Sequence, residues 1–179
     1  MKKAVTTLSI AIIVLTLLQL VMMFVPTFTL TRAATKKNPD PQPEDFSIMS
    51  LCFAETEEMG KIFKKMVEDY DVNTNVEYHV LALAFGILAI AFNLIRISND
   101  ASGFQTAYAT FMRFLTHVIT FVWAYFGVNA FSMSQVMQFS SSLVPTVCHV
   151  AFISASVLAV VRLVLLFVPK FVSKKKVAA

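Results

Sequence analysis

The stretch FQTAYATFMRFLTHVITFVWAYFGVNAF, residues 104–131, decides how this chain is read. It is long and apolar enough to cross a bilayer, for which a helix needs about 20 residues. Yet Arg113 and His117 stand four residues apart inside it. Such groups do not enter hydrocarbon without a reason. Either they form a functional or lipid-binding site, or this is a helix turning its polar side toward its neighbours.

Working outward, the neighbouring sequence is just as apolar. Residues 4–25, AVTTLSIAIIVLTLLQLVMMFV, carry no charge and end at Pro26. Residues 78–95, YHVLALAFGILAIAFNLI, stop at Arg96, and residues 143–168 hold only Arg162 and are closed by Pro169. Four spans result, at about 4–25, 78–95, 104–131 and 143–168. Each must be helical, because open strands would leave backbone groups unpaired in lipid. The first could be a cleaved signal, but signal cores run about 7–15 apolar residues. This run is longer, and LTRAA places Arg32 where a small neutral residue is expected, so a retained helix is the expectation.

The whole chain fits this reading. It has 179 residues, 57% hydrophobic and 15% charged, against roughly 25% charged for an average soluble protein. The net charge is +4, but no basic patch interleaved with aromatics suits nucleic acid. Basic residues flanking apolar spans meet lipid headgroups instead. Cys52 and Cys148 form no CxxC pair and are read as two free thiols.

The expected fold class is all-α: a four-helix transmembrane bundle, one polytopic domain over 1–179, with one large extramembrane loop at 26–77 and a basic tail at 170–179. RISNDASG, 96–103, reads as a tight turn, and SMSQVMQFSSS as a short polar loop. With both termini inside, the inner segments carry Lys2, Lys3, Arg96, Lys170, Lys174, Lys175 and Lys176; the outer ones carry Arg32, Lys36, Lys37, Lys61, Lys64 and Lys65. The compact basic tail and basic N-terminus favour cytoplasmic termini and an outer first loop. Tyr78 and Trp123 read as aromatic anchors near span ends. The loop layout is similar to that of claudin-like tetraspan proteins, without that family's paired loop cysteines and aromatic signature.

Within the first loop, TKKNPDPQPED is proline-rich and extended. After it, Met59, Ile62, Phe63, Met66, Val67 and Tyr70 repeat as one apolar helix stripe. It either lies on the bundle or membrane, or docks another protein.

Inside the spans, Thr106, Thr110, Arg113, His117 and Thr120 follow i, i+4, i+7, i+11, i+14 and form one polar stripe. Ala82, Gly86, Ala89 and Asn93 share that spacing. Cys148, Phe152, Ala155, Ala159 and Arg162 share a face of the last span, with Ala155 and Ala159 a small-xxx-small pair. These faces are expected to meet in the bundle interior. Arg113 and Arg162 sit about 13 and 12 Å from the inner side at 1.5 Å per residue, with no acid inside any span. Three readings stand side by side: the arginines snorkel to headgroups, bind an anion or lipid phosphate, or pair with a partner subunit's acid. His117 and His149 fall at matched depth, about 20 Å in, so a haem or metal pair is an alternative to two plain hydrogen-bonding histidines.

No nucleophile elbow, HExxH, P-loop or dinucleotide motif is present, and no central Pro or Gly pair breaks a span as in many transporters. The leading expectation is a non-enzymatic multi-pass membrane protein, an accessory, interaction or lipid-contacting subunit without a cofactor. Its partners would be membrane lipids and another membrane protein or a second copy. The alternatives are a small oligomeric anion channel or transporter using Arg113 and Arg162, and a haem- or metal-binding protein using His117 and His149.

Overall fold

The computed structural model describes residues 2–30, 40, 44–53, 61, 76–102, 106–133 and 143–177. Four long helices dominate: α1 (Lys2–Met23), α3 (Val76–Ser102), α4 (Thr106–Met133) and α5 (Leu143–Val177). Between α1 and α3 lie strands β1 (Pro26–Leu30) and β2 (Glu44–Ser47) and a short helix α2 (Ile48–Phe53). All four long helices are long and apolar enough to cross a membrane.

One repeat explains how they pack. On α1 the buried seam runs through Val5, Ser9, Ile12, Thr16, Gln19 and Met23, with Leu20 buried beside it; on α3 the seam is His79, Ala82, Gly86, Ala89, Asn93 and Arg96. Spacings of three and four alternate along both. That average of 3.5 residues keeps one seam facing a partner helix and gives shallow left-handed crossings. On α4 the seam runs through Met112, Thr116, Thr120, Trp123, Gly127 and Ala130; on α5 it includes Val144, Cys148, Phe152, Ala155, Ala159 and Arg162. The opposite faces expose large apolar side chains, among them Val21, Ile87, Phe114 and Val157. A soluble protein rarely shows so much contiguous apolar surface; lipid is the solvent this surface fits.

Each helix packs on the next in the ring α1–α3–α4–α5, and α5 closes against α1. Directions follow from which residues share a level. Ser9, Asn93, His117 and Arg162 meet at one level, and Gln19, Trp123 and Cys148 at another. Residue numbers rise from the first level to the second on α1 and α4 and fall on α5. Gly86, against Leu20 and Trp123, precedes Asn93 on α3, so numbers fall there too. Neighbouring helices are therefore antiparallel around the ring.

The hairpin end is closed by the short elements. Strands β1 and β2 pair antiparallel, with a register shift between Pro26 and Phe28, and Thr29 donates to Asp45 Oδ1 across the pair at 2.7 Å. Helix α2 is capped reciprocally: Ser50 N donates to Ser47 Oγ at 3.0 Å, and Ser47 N donates to Ser50 Oγ at 2.9 Å. The cap aims Ile48 and Met49 into the core beside Met23 and Ala82.

Three sequence readings change here. The tight turn expected at 96–103 is helix through Ser102, because arginine ends an apolar run but is a good helix former. Pro169 does not end α5, which runs on to Val177 through the basic segment. Trp123 is no membrane-edge anchor: it is fully buried, with its indole N–H directed inward. The proposed partner face of Met59, Ile62, Phe63, Met66, Val67 and Tyr70 lies outside the described residues.

Candidate functional site: a buried arginine centre

At the level nearer the termini, each of the four helices sends polar side chains to one point. Arg162 on α5 is the hub, and it is fully buried. It follows Ala155 and Ala159 on the packed seam, and those small residues let the neighbouring backbones come close. Its Nη1 donates to Ser9 Oγ on α1 at 3.0 Å and to Asn93 Oδ1 on α3. Its Nη2 lies 3.4 Å from His117 Nδ1 on α4. One side chain thus ties α5 to all three other helices.

The partners are themselves held. Ser9 Oγ donates to Val5 O at 3.1 Å, leaving its lone pairs for the guanidinium. Asn93 Nδ2 donates to Ala89 O at 2.8 Å and to Thr120 Oγ1 at 3.3 Å. Thr120 donates to Thr116 O at 2.8 Å, and Thr116 Oγ1 donates to Met112 O at 2.7 Å and Phe92 O at 3.3 Å. Asn93 therefore presents only its carbonyl oxygen to Arg162, because both of its N–H groups are used.

A second arginine completes the centre. Arg96 on α3, also buried, places Nη1 3.4 Å from His117 Nε2. The imidazole thus has a guanidinium on each ring nitrogen. A guanidinium only donates, and a neutral imidazole has one accepting nitrogen. Whichever tautomer is present, one ring N–H faces another N–H. The Nε–H of Arg162 adds a further buried donor with no acceptor. Among the described contacts, Arg162 brings more donors than its partners offer acceptors.

Its charge is equally one-sided. All 11 acidic residues except Asp100 lie between Asp40 and Glu77 in sequence. Among the described residues, the partners of Arg162 are Ser9, Asn93 and His117, and none is an acid. Placing an arginine at the middle of a membrane helix costs about 3 kcal/mol on insertion scales. Hydrogen bonds to a charged group contribute about 1.5–3 kcal/mol each. The network can hold the cation in place, but it does not cancel its charge.

Two turns nearer the hairpin, the interior is quite different. Trp123 Nε1 donates to Gln19 Oε1 at 3.0 Å, Gln19 Nε2 donates to Met23 Sδ, and the Cys148 thiol points to Gln19 O. The Trp123 and Phe152 rings pack with centroids 4.8 Å apart. Two glycines make room for these rings. A Cβ on Gly86 would meet Trp123 Nε1 at 3.0 Å and Leu20 Cδ2 at 2.9 Å, and a Cβ on Gly127 would overlap the Phe152 ring.

The residues singled out from sequence divide into three groups. His117, Thr120, Asn93 and Arg162 come together, and Ala82, Gly86, Ala89, Ala155 and Ala159 lie buried on the packed seams. Thr110 is exposed and Arg113 half-buried, so the first half of the expected stripe turns away from the centre; the side chain of Thr106 is not among those described. The depth-matched counterpart of Arg162 is Arg96, not Arg113. Counting by apolar runs had placed Arg96 outside the membrane. His149 lies more than three turns before Arg162 on α5, about 20 Å along the axis from the level of His117. The antiparallel register separates the two imidazoles, and they cannot share a metal or haem. Among the described residues no group of three or more His, Cys, Asp or Glu could hold a metal ion.

Ser9, Gln19 and Arg96 escaped the sequence reading. Their signal was the 3–4 repeat on α1 and α3, which puts each on the same face as small or apolar seam residues. Both cysteines are free thiols. Cys52, on α2 outside the spans, is half-buried, and burial pushes its thiol up to about 12. No family model, curated protein or solved structure matches this chain.

Proposed function

We propose that this is a non-enzymatic multi-pass membrane protein whose four-helix bundle binds an anionic group at Arg96, His117 and Arg162. The termini are cytoplasmic and the hairpin end is outside, so the centre lies in the cytoplasmic half of the membrane. Ser9 is six residues beyond Lys3, about 9 Å of helix, which is within reach of the inner headgroup layer. The observation that carries this reading is the fully buried Arg162 guanidinium, whose described partners include no acid and whose Nε–H has no acceptor. An oxyanion supplies both charge and acceptors. Charge-assisted hydrogen bonds from arginine to phosphate or sulfate oxygens are among the strongest available. The shared chemistry is an oxyanion, whether a lipid phosphate or a free inorganic anion.

Thermal unfolding of the purified protein in mild detergent tests this. Sulfate replaces gluconate at constant ionic strength, and native mass spectrometry follows bound anionic lipid. Saturable stabilisation by sulfate marks a free-anion site, since a ligand of the native state raises Tm by mass action. A retained phospholipid, lost in Arg96→Gln, marks a lipid site. If sulfate does not stabilise the protein and no anionic lipid is retained, the reading is wrong.

A further inference from the structure

We propose that Arg162 divides its donors between two tasks: its Nη1 ties the helices together, and its Nε–Nη2 edge grips the anion, which enters between α4 and α5. This rests on the anion-binding reading above and adds the grip and the route.

A guanidinium is a planar fork of five N–H donors. The Nε–H and one Nη2–H leave the same edge side by side, and that edge takes two oxygens of one carboxylate, phosphate or sulfate group. In Arg162 the other side is committed. Nη1 donates to Ser9 Oγ on α1 at 3.0 Å and to Asn93 Oδ1 on α3. Both acceptors are fixed from behind, Ser9 by Val5 O and Asn93 by Ala89 O and Thr120. The Nε–Nη2 edge is left. Its Nε–H is buried with no acceptor. The described partner of Nη2 is His117 Nδ1 at 3.4 Å, longer than the usual range of about 2.7–3.2 Å for a hydrogen bond from nitrogen. An oxyanion on this edge would gain two charge-assisted bonds and disturb only that long contact. The ligand is therefore a group with two oxygens on one central atom, such as a phosphodiester, a carboxylate or sulfate. A halide offers the fork one atom.

The same asymmetry sets the route. Nη1 holds α5 to α1 and α3, and among the described contacts of Arg162 only the long one holds it to α4. Toward the termini, cover gives out on the α4 side. His117, Arg113 and Thr110 lie within about 60° of one another on one flank of α4, and they are buried, half-buried and exposed in turn. On α1, by contrast, Val5 is still buried one turn nearer the termini than Ser9. The flank that opens is also polar, so an anion following it meets a hydroxyl and a guanidinium before it reaches Arg162.

Spin labels test the route on the full-length protein in mild detergent. They are attached at exposed positions near the level of the centre, through Ile10→Cys on α1, Leu94→Cys on α3, Phe114→Cys on α4 and Val164→Cys on α5, in a Cys52→Ser, Cys148→Ser background. Sulfate, and separately short-chain phosphatidylglycerol, is added to saturation. The 114–164 distance is expected to change by about 1–2 Å, the scale of helix shifts in switching proteins, while the 10–164 and 10–94 distances hold. That shift with either probe supports the route, and with phosphatidylglycerol alone it assigns a lipid as the occupant. Binding without a shift, or a shift at 10–164, overturns the route and leaves the anion site standing. The grip is tested on the unlabelled wild type and needs no variant. Dimethyl phosphate, a monoanion with two free oxygens and no acyl chain, is expected to bind at least about tenfold more tightly than chloride. Equal affinity for the two overturns the two-point grip. No binding of any anion overturns the site, and the grip and the route with it.

Discussion

Two levels of the same interior, about 9 Å apart along α4, are built on opposite principles. Around Trp123 the polar atoms pair off: the indole donates, Gln19 accepts, and the carboxamide N–H finds the Met23 sulfur. Space there is matched too, glycine against ring at both Gly86 and Gly127. Around Arg162 the helices are held just as firmly, but its Nε–H has no acceptor and none of its described partners is an acid. A packed layer that satisfies itself needs nothing further. A buried layer that does not is expensive to keep, and partly satisfied polar networks are worse than apolar cores for stability alone. The contrast separates a layer of the interior that satisfies its own polar groups from one that does not.

The contrast can be broken most directly at Gly127. Gly127→Val is expected to lose the folded protein, seen as absence of a monodisperse peak in detergent chromatography, because its side chain would occupy the space of the Phe152 ring. Overpacking of this kind typically costs about 1–3 kcal/mol and occasionally more. Adding Phe152→Val should recover part of the yield; no recovery would mean that ring is not the obstacle.

Trp123→Phe tests the same layer more gently. It keeps a ring but strands the Gln19 carbonyl, a loss of about 1–3 kcal/mol in denaturant or thermal unfolding. An unchanged Tm would show that this hydrogen bond does not hold the layer.

At the other level ligand binding is what should be lost. Arg162→Met removes the buried cation and strands the Asn93 carbonyl, a loss of about 1–3 kcal/mol, while abolishing sulfate binding. A protein that unfolds on this change would make the arginine a structural tie and erase the contrast. Arg113→Gln is the companion control: half-buried and away from the centre, it should change stability by no more than about 0.5 kcal/mol and leave sulfate binding intact.

The smallest effect is expected outside both levels, at Cys52. With its thiol raised from 9.0 to about 12 by burial, it stays protonated where an ordinary cysteine ionises. In a Cys148→Ser background, iodoacetamide at pH 8.5 should label it at least about tenfold more slowly than in the denatured chain, because only the thiolate reacts. The sign for stability follows. The preference for the folded state is complete below about 9 and declines as pH rises toward about 12, because the unfolded chain releases this proton first. Equal labelling rates would place Cys52 in an open environment.

Much of this was legible along the chain. The seam residues of α3 and α5, from Ala82 to Asn93 and from Cys148 to Arg162, could be read because small and polar residues at 3–4 spacing in an apolar run have few other uses. Arg96 could not be read this way. A charge at the edge of a hydrophobic window looks like a boundary, and only the neighbouring helices show that the turn bearing it is covered. Thr110 and Arg113 misled for the converse reason. Polarity at helical spacing marks a face, but it does not tell which neighbour covers that face or where along the helix the covering ends. The β1–β2 hairpin was missed because its strands pair across residues 31–43, and a proline-rich stretch carries no period-2 pattern to announce them.

The sequence by itself determined the solvent, the number of long helices and their approximate limits. Those follow from lengths of uncharged apolar chain, and the free energy of placing backbone and side chains in lipid is set residue by residue. Which polar groups meet was decided only by the tertiary structure. Helix rotation and antiparallel register bring Ser9, Asn93, His117 and Arg162 to one level and carry His149 about 20 Å away. Those settings depend on how side-chain volumes interlock between helices, as Gly127 does with Phe152, and no single helix contains that information.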